Sequence, residues 1–248
     1  MKILVCISHV PDTTSKINFS SNLTEFDGNG ITFVINPYDE FGLTRAMKIK
    51  EATGATITVV NVGTVSTEPT LRKALAIGAD DAVRIDADAQ DGASVARLIA
   101  DFAIDKNYDL IITGRESIDY NGGIVPGMLA TYLDLPFVNA CIGLELDGEN
   151  AKITREIDGG KENLEGVLPL LIAGQKGLVE EKELRIPAMR GIMMARKKPL
   201  TVIAPSSVTA SSAILNFELP EAKAACKMID AGNVDQLVEL LHSQAKVI

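Results

Sequence analysis

Residues 109–133 read DLIITGRESIDYNGGIVPGMLATYL, and this stretch decides the fold. Asp109–Thr113 is a short apolar run with β-branched residues and reads as a strand. A polar turn carrying Asp119, Asn121, Gly122 and Gly123 follows. Apolar residues then return at helical spacing, with Ile124, Met128, Leu129 and Tyr132 expected on one side. A strand that passes through a small-residue turn into a helix N-terminus offers free backbone N–H groups and the positive end of the helix dipole, a natural seat for an anion. At the carboxyl edge of a parallel sheet, ligands bind at such turns. The same glycines also serve to shape a plain βα loop, and a short glycine motif alone does not separate the two.

Outward from this stretch, apolar strand-like runs recur at 2–7, 31–35, 56–62 and 82–85, with helical stretches between. In 91–106, Val95, Leu98, Ile99, Phe102 and Ala103 keep one helical face apolar. Leu71, Ala74 and Leu75 do the same on a shorter helix over 68–78, which Gly78 ends. A third helix covers 38–52, with Phe41, Met47 and Ile49 apolar. Strand and helix alternating at this spacing imply right-handed crossovers and a parallel sheet. The connection 8–30 is long, and long loops are functional or disordered. After Pro136 the pattern changes: 137–146 and 151–157 flank Asp147-Gly148, a hairpin signal, and 166–173 reads as a further strand. Beyond Pro199 the chain reads as irregular, with SSVTASS (206–212) as a linker and a last amphipathic helix carrying Val234, Leu237, Val238 and Leu241. That stripe must pack on something, either its own domain or a partner.

The bulk properties narrow the class. At 248 residues the chain can bury one sizeable core. A net charge of −9 argues against an extended nucleic-acid footprint or attraction to anionic lipid; Arg196, Lys197 and Lys198 form the local exception. No apolar run approaches the ~20 residues that span a bilayer, so no membrane insertion is expected. Cys6, Cys141 and Cys226 are few and scattered, which fits a reducing compartment and argues against a zinc site. A cytoplasmic location is the expectation.

The absences exclude several enzymes. There is no G-x-x-x-x-G-K-[ST], no glycine fingerprint after the first strand, no G-x-S-x-G elbow and no zinc-protease helix motif. His9 and His242 are the two neutral-pH acid–base candidates, and His9, at a strand end, reads first as a satisfied loop residue. A nucleotide site can still be assembled from strand ends. Cys6 ends the first strand, Asn36 follows the second, Val62 ends the third and 119–125 follows the fifth, so small or amide side chains would frame adenine and ribose while turn N–H groups receive phosphate. Cys6 reads equally as a small core residue.

Five separated motifs in order carry a resemblance: KILVCISHVPDTTSKI (2–17), INPYDE (35–40), LRKALAIGADDAV (71–83), REIDGG (155–160) and ELRIPAMRGIMMARKKP (183–199). Together they resemble the β subunit of electron-transfer flavoprotein, from Met1 to about Pro205. The resemblance implies a doubly wound α/β fold, Rossmann-like and mostly parallel, with an added antiparallel region. It implies an α/β domain over 1–199 and a C-terminal arm over 200–248 that packs on an α subunit. Cys6, Asn36 and Val62 then match the adenine-nucleotide pocket, which holds AMP or, in bifurcating members, a second FAD. Asp119, Tyr120, Asn121, Gly122, Gly123 and Val125 fall at the phosphate loop. Many members carry glutamine and threonine or alanine late in this loop; here stand Gly123, Ile124 and Val125, so either backbone N–H groups replace side-chain donors or the pocket is altered or unused.

The resemblance further places Thr13 near the redox FAD held mainly by the α subunit, and Glu156 opposite an arginine of the moving flavin-bearing domain. Arg185, Pro187, Met189 and Ile192 fall in the segment that engages acyl-CoA dehydrogenases, with Met189 as an adaptable anchor. The rival reading is that Met189, Ile192, Met193 and Met194 cover a helix's buried face. A quinone oxidoreductase is the implied electron acceptor. The chain is thus expected to be an electron-carrier subunit without substrate turnover. A stand-alone adenine-nucleotide-binding regulator of universal-stress type is the alternative.

Overall fold

The computed structural model describes residues 1–223 and 225–248. Along the chain the elements are β1 (Lys2–Cys6), β2 (His9–Pro11), β3 (Phe33–Ile35), α1 (Pro37–Thr53), β4 (Thr56–Val62), α2 (Glu68–Ile77), β5 (Asp81–Ile85), α3 (Gly92–Ala103), β6 (Leu110–Gly114), α4 (Val125–Leu133), β7 (Phe137–Asp147), β8 (Asn150–Ile157), β9 (Gly160–Val167), β10 (Leu170–Gly174), α5 (Met189–Ala195), β11 (Leu200–Ile203) and α6 (Val234–Leu240).

The central strands are buried on both faces, which is why they read as continuous apolar runs. In β1, Ile3 and Val5 enter the core layer beneath α1 and α2, while Leu4 and Cys6 enter the layer beneath α3 and α4. The helices begin and end as their sequences direct. Pro37 opens α1, the Asp91 side chain accepts the Ser94 N–H to cap α3, and Gly78 closes α2 at φ 147°.

Nine strands form one sheet in the order β11-β5-β4-β1-β6-β10-β7-β8-β9. Pairing is parallel from β11 to β7 and antiparallel across β7, β8 and β9, so the doubly wound class with an antiparallel addition holds. From β1 the chain steps outward to β4 and β5, then returns to β6 on the other side of β1. The switch point therefore lies between the carboxyl ends of β1 and β6.

Three expectations change. The run 31–35 is not a strand of the main sheet: β3 pairs antiparallel with β2, Val10 opposite Val34. Both edges of β1 are already taken by β4 and β6, so this run buries Ile35 in the core while bonding to the chain that leaves β1. The stretch after Pro199 is not irregular at once. β11 pairs parallel with β5 at the sheet edge, so the sheet continues through Ile203, past the expected boundary at 199. The run read at 166–173 joins the end of β9 to β10. Polar GKENLEGV hid β9, whose side chains lie largely at the surface.

Beyond Ile203 the arm is pinned at several points. Ser206 Oγ donates to Asp101 Oδ2 at 2.6 Å, and Val208 packs on the α3–α4 core layer. The N–H groups of Ser211 and Ser212 donate to Asp91 Oδ2 at 2.6 and 2.8 Å. Phe217 stacks on Phe19 at 4.5 Å, and its N–H donates to the Leu23 carbonyl. The long β2–β3 connection thus seats the arm. On α6, Val234, Leu237 and Val238 are exposed and Leu241, just beyond it, is half-buried, so most of the stripe is left uncovered by its own domain. No helix among the described residues is long and apolar enough to cross a membrane.

Candidate nucleotide site

The site is built at the switch point. Cys6 and Val62, the last residues of β1 and β4, lie almost buried on the α3–α4 face, and Val125 at the start of α4 packs against the same layer. Three of the expected residues are therefore brought together on one side of the sheet. Burial pushes the Cys6 thiol up, with the Asp39 carboxylate adding to the shift, so it is a neutral apolar wall rather than a nucleophile.

The loop from β6 to α4 folds back on itself. Ser117 and Gly122 exchange both backbone hydrogen bonds, at 3.0 and 3.2 Å. Ser117 Oγ donates to Asp119 Oδ1, which also accepts the Tyr120 N–H at 2.9 Å. Asn121 turns the chain at φ 50°. Asp119 and Asn121 thus shape the turn, Tyr120 points outward at 62% exposure, and the Gly122 N–H is spent within the loop. Among the described residues, the N–H groups of Gly123, Ile124 and Val125 have no protein acceptor. Ile124, expected on the buried side of the helix, precedes α4 and is exposed, its side chain against Gly92 at the start of α3.

Asn36 reaches the site from behind. It is fully buried, its Nδ2 donates to the Glu116 carbonyl at 2.9 Å, and its Oδ1 accepts the Ile118 N–H at 3.3 Å. It holds the loop, with no amide atom left to face a ligand. Asp39, not singled out although it lies in the INPYDE motif, accepts the Ser8 N–H at 2.7 Å and the Gly114 N–H at 2.9 Å. Burial pushes its carboxyl up to about 7. The polar residues directly after a strand were the available signal.

Arg115 and Gln175 were also missed. Arg115 Nη1 donates to Gln175 Oε1 at 2.8 Å, and Gln175 Nε2 donates to the exposed Glu156, so Glu156 is linked to the start of the loop. His9 is satisfied as expected: Nδ1 meets Thr70 Oγ1 at 2.8 Å, the ring stacks on Phe33, and burial pushes its pKa down. Thr13 is exposed at the rim of the β2–β3 loop, next to a cleft of about 500 Å³ lined by Asp12, Thr14 and Lys16.

The segment 183–199 splits into a fixed base and a free face. Arg185 Nη2 meets both Glu51 carboxylate oxygens at 2.9 and 2.7 Å, and its N–H donates to Thr44 Oγ1, tying the segment to α1. Pro187 is half-buried. Arg72 Nη1 donates to the carbonyls of Ala195 and Lys198, and Lys198 Nζ to those of Leu75 and Ala79, which fastens α5 on α2. The contact side of α5 is Gly191 and Ala195. Met189 is 76% exposed, and Ile192, Met193 and Met194 are exposed beside it. The reading of these four as a buried face is therefore overturned, because small residues already fill the α2 contact.

A family model described as electron transfer flavoprotein domain matches residues 25–208. The chain is similar to a Bacillus subtilis (strain 168) protein named electron transfer flavoprotein subunit beta, 36% identical over 262 residues and covering 100% of both chains. The chain belongs to the electron transfer flavoprotein β-subunit family. A second electron transfer flavoprotein subunit beta, from Syntrophomonas wolfei, is 36% identical over 252 residues, covering 100% of this chain and 98% of its own. One from Dictyostelium discoideum is 29% identical over 253 residues, with 100% and 99% covered. The switch point between β1 and β6 and the exposed α5 thus belong to an electron transfer flavoprotein scaffold.

The residues present fit an adenine mononucleotide. Cys6, Val62 and Val125 share one apolar layer at the strand ends, the three free N–H groups suit one phosphate, and no cationic side chain stands between Ser117 and Gly127 to serve a longer polyanion.

Proposed function

We propose that the chain is the β subunit of a heterodimeric electron-transfer flavoprotein. It binds a structural AMP, completes the FAD site of the α subunit, docks acyl-CoA dehydrogenase-type donors, and passes electrons toward a quinone oxidoreductase. It turns over no substrate of its own and works in the cytoplasm. The observation that carries this reading is the set of free N–H groups of Gly123, Ile124 and Val125 at the β6–α4 turn, with the exposed faces of α5 and α6 left for partners. A stand-alone regulator has no use for either face.

When bound, FAD supplies one- and two-electron redox chemistry. The chain's own residues do the rest. Cys6 and Val62 present apolar strand ends to an adenine ring. Gly123, Ile124 and Val125 donate to a phosphate. Thr13, at the rim of the β2–β3 loop, offers a hydroxyl to the flavin of the α subunit. Glu156, held by Gln175, meets a cation of the flavin-bearing domain, and an exposed pair worth only ~0–1 kcal/mol suits a domain that must move. Met189 inserts into the donor, with Ile192 beside it, while Arg185 and Pro187 hold the base.

Co-expression with an α subunit, followed by denaturation of the purified complex and quantification of released nucleotides, tests the reading. One AMP and one FAD per yellow heterodimer is the expected result. Two FAD without AMP overturns the AMP assignment, and a colourless monomer that ignores every α subunit overturns the whole.

A further inference from the structure

The first turn of α1 holds the ends of both strands that flank the switch point. Asp39 is 3% exposed, yet it is a carboxylate. Its Oδ2 accepts the N–H of Ser8, just beyond β1, and its Oδ1 accepts the N–H of Gly114, the last residue of β6. The fit is tight: a Cβ at Gly114 would stand 2.3 Å from Asp39 Oδ1. A buried carboxylate costs desolvation that an apolar side chain of similar size avoids, so packing alone does not account for it.

We propose that Asp39 is a positioning residue for the adenine nucleotide: it clamps the ends of β1 and β6 at a fixed spacing, so that the strand ends at Cys6 and Val62 and the free N–H groups of the α4 loop keep the register the nucleotide meets. This rests on the nucleotide reading given above. A carboxylate has two acceptor oxygens and uses both here. An amide of the same shape accepts through one oxygen and sets an NH₂ group against the other donor. The clamp is continuous with the phosphate turn. Ser8 and Gly114 meet on Asp39, Glu116 and Ile118 meet on Asn36, and Ser117 closes with Gly122 one residue before the free donors begin.

The charge state of the clamp changes near neutrality, since burial pushes Asp39 up to about 7 against the hydrogen bonds from Ser8, Asn36 and Gly114. The titratable groups on the surrounding elements are Tyr38 and Glu40 on α1, Cys6 on β1, His9 on β2, and Arg115 and Glu116 after β6. Burial pushes the Cys6 thiol up, away from neutrality, and the His9 imidazole down. Glu40 pairs with Lys73 at 3.1 Å and Arg115 with Glu116 at 3.4 Å. Once protonated, Asp39 keeps one good acceptor oxygen, and one strand end is released.

The test follows release of AMP from the purified heterodimer with the α subunit, for wild type and Asp39→Asn. The variant should lose AMP at least about tenfold faster, the scale of one broken buried charge-assisted hydrogen bond, with FAD content unchanged. A control of matched destabilisation, Ile153→Ala in the remote β8, should hold AMP as wild type does, which separates positioning from general loosening. Wild-type release should quicken from pH 8 to 6.5, above the phosphate's own second ionisation near ~6, and Asp39→Asn should show no such dependence. The pH arm on wild type stands by itself if the variant does not fold, and a flat wild-type profile then overturns the clamp. Equal release from wild type and Asp39→Asn also overturns it. A wild-type complex that releases FAD in place of AMP overturns the AMP assignment, and the same comparison then decides the clamp with FAD. A complex that yields no second nucleotide overturns the nucleotide reading and the clamp together.

Discussion

Gly191 lies against Ala76: a Cβ at Gly191 would stand 2.3 Å from the Ala76 carbonyl oxygen. This contact lets α5 settle on α2 through its small side and turn its methionines outward. Gly191→Ala must push the helix off that backbone oxygen. We expect a loss of stability of ~1–3 kcal/mol, the ordinary cost of overpacking, together with weaker dehydrogenase coupling. Unchanged melting and unchanged coupling would show that α5 does not need this seat.

Met189→Ala separates surface from core. The side chain is 76% exposed, so its truncation should leave melting temperature and flavin content nearly unchanged. If Met189 anchors a donor, the apparent Michaelis constant for the complex should rise in a dehydrogenase-coupled assay, as expected when an anchor worth more than ~1 kcal/mol is lost. Normal coupling kinetics sinks the docking role.

Asp91 serves two masters, capping α3 through Ser94 and receiving the arm through Ser211 and Ser212. Asp91→Ala should cost about 1 kcal/mol, the usual worth of an N-cap, and speed amide hydrogen exchange across 211–217. The pH dependence follows from the same contacts. The Ser94 hydrogen bonds, then those of Ser212 and Ser211, hold this carboxyl below its ordinary 3.8. A group with a depressed folded pKa contributes stability fully above its unfolded value and loses it as pH falls through the folded one. The arm should therefore stay latched at neutral pH and free itself only well below pH 3.8. Protection at 211–212 that is the same in the variant as in wild type would refute the latch.

Leu237 tests the arm's far end. It is exposed on α6, so Leu237→Asp should change the stability of the isolated chain by no more than ~0.5 kcal/mol. In a titration against the α subunit the same change should weaken association markedly, because a charge then enters an apolar interface. An unaltered affinity removes α6 from that interface.

Much of this protein was legible along the chain itself. Burial on both faces leaves β1, β4 and β6 as unbroken apolar runs, and burial on one face leaves 3.6-residue stripes in α2 and α3, so these elements and the parallel sheet follow from local pattern. The strand-to-helix turn at 119–125 was legible for the same reason, since small residues at such a junction are a local feature. What only the tertiary structure decided depends on partners far apart in sequence. β3 bonds to β2 because the edges of β1 were already taken, and β11 completes the sheet beside β5, more than a hundred residues earlier. Asp39 meets Gly114 across 75 positions, and Met189 faces outward because Gly191 and Ala195 fill the contact with α2. Periodicity reports that a face is covered; it does not say by what, and a buried carboxylate or an exposed methionine is set by that partner alone.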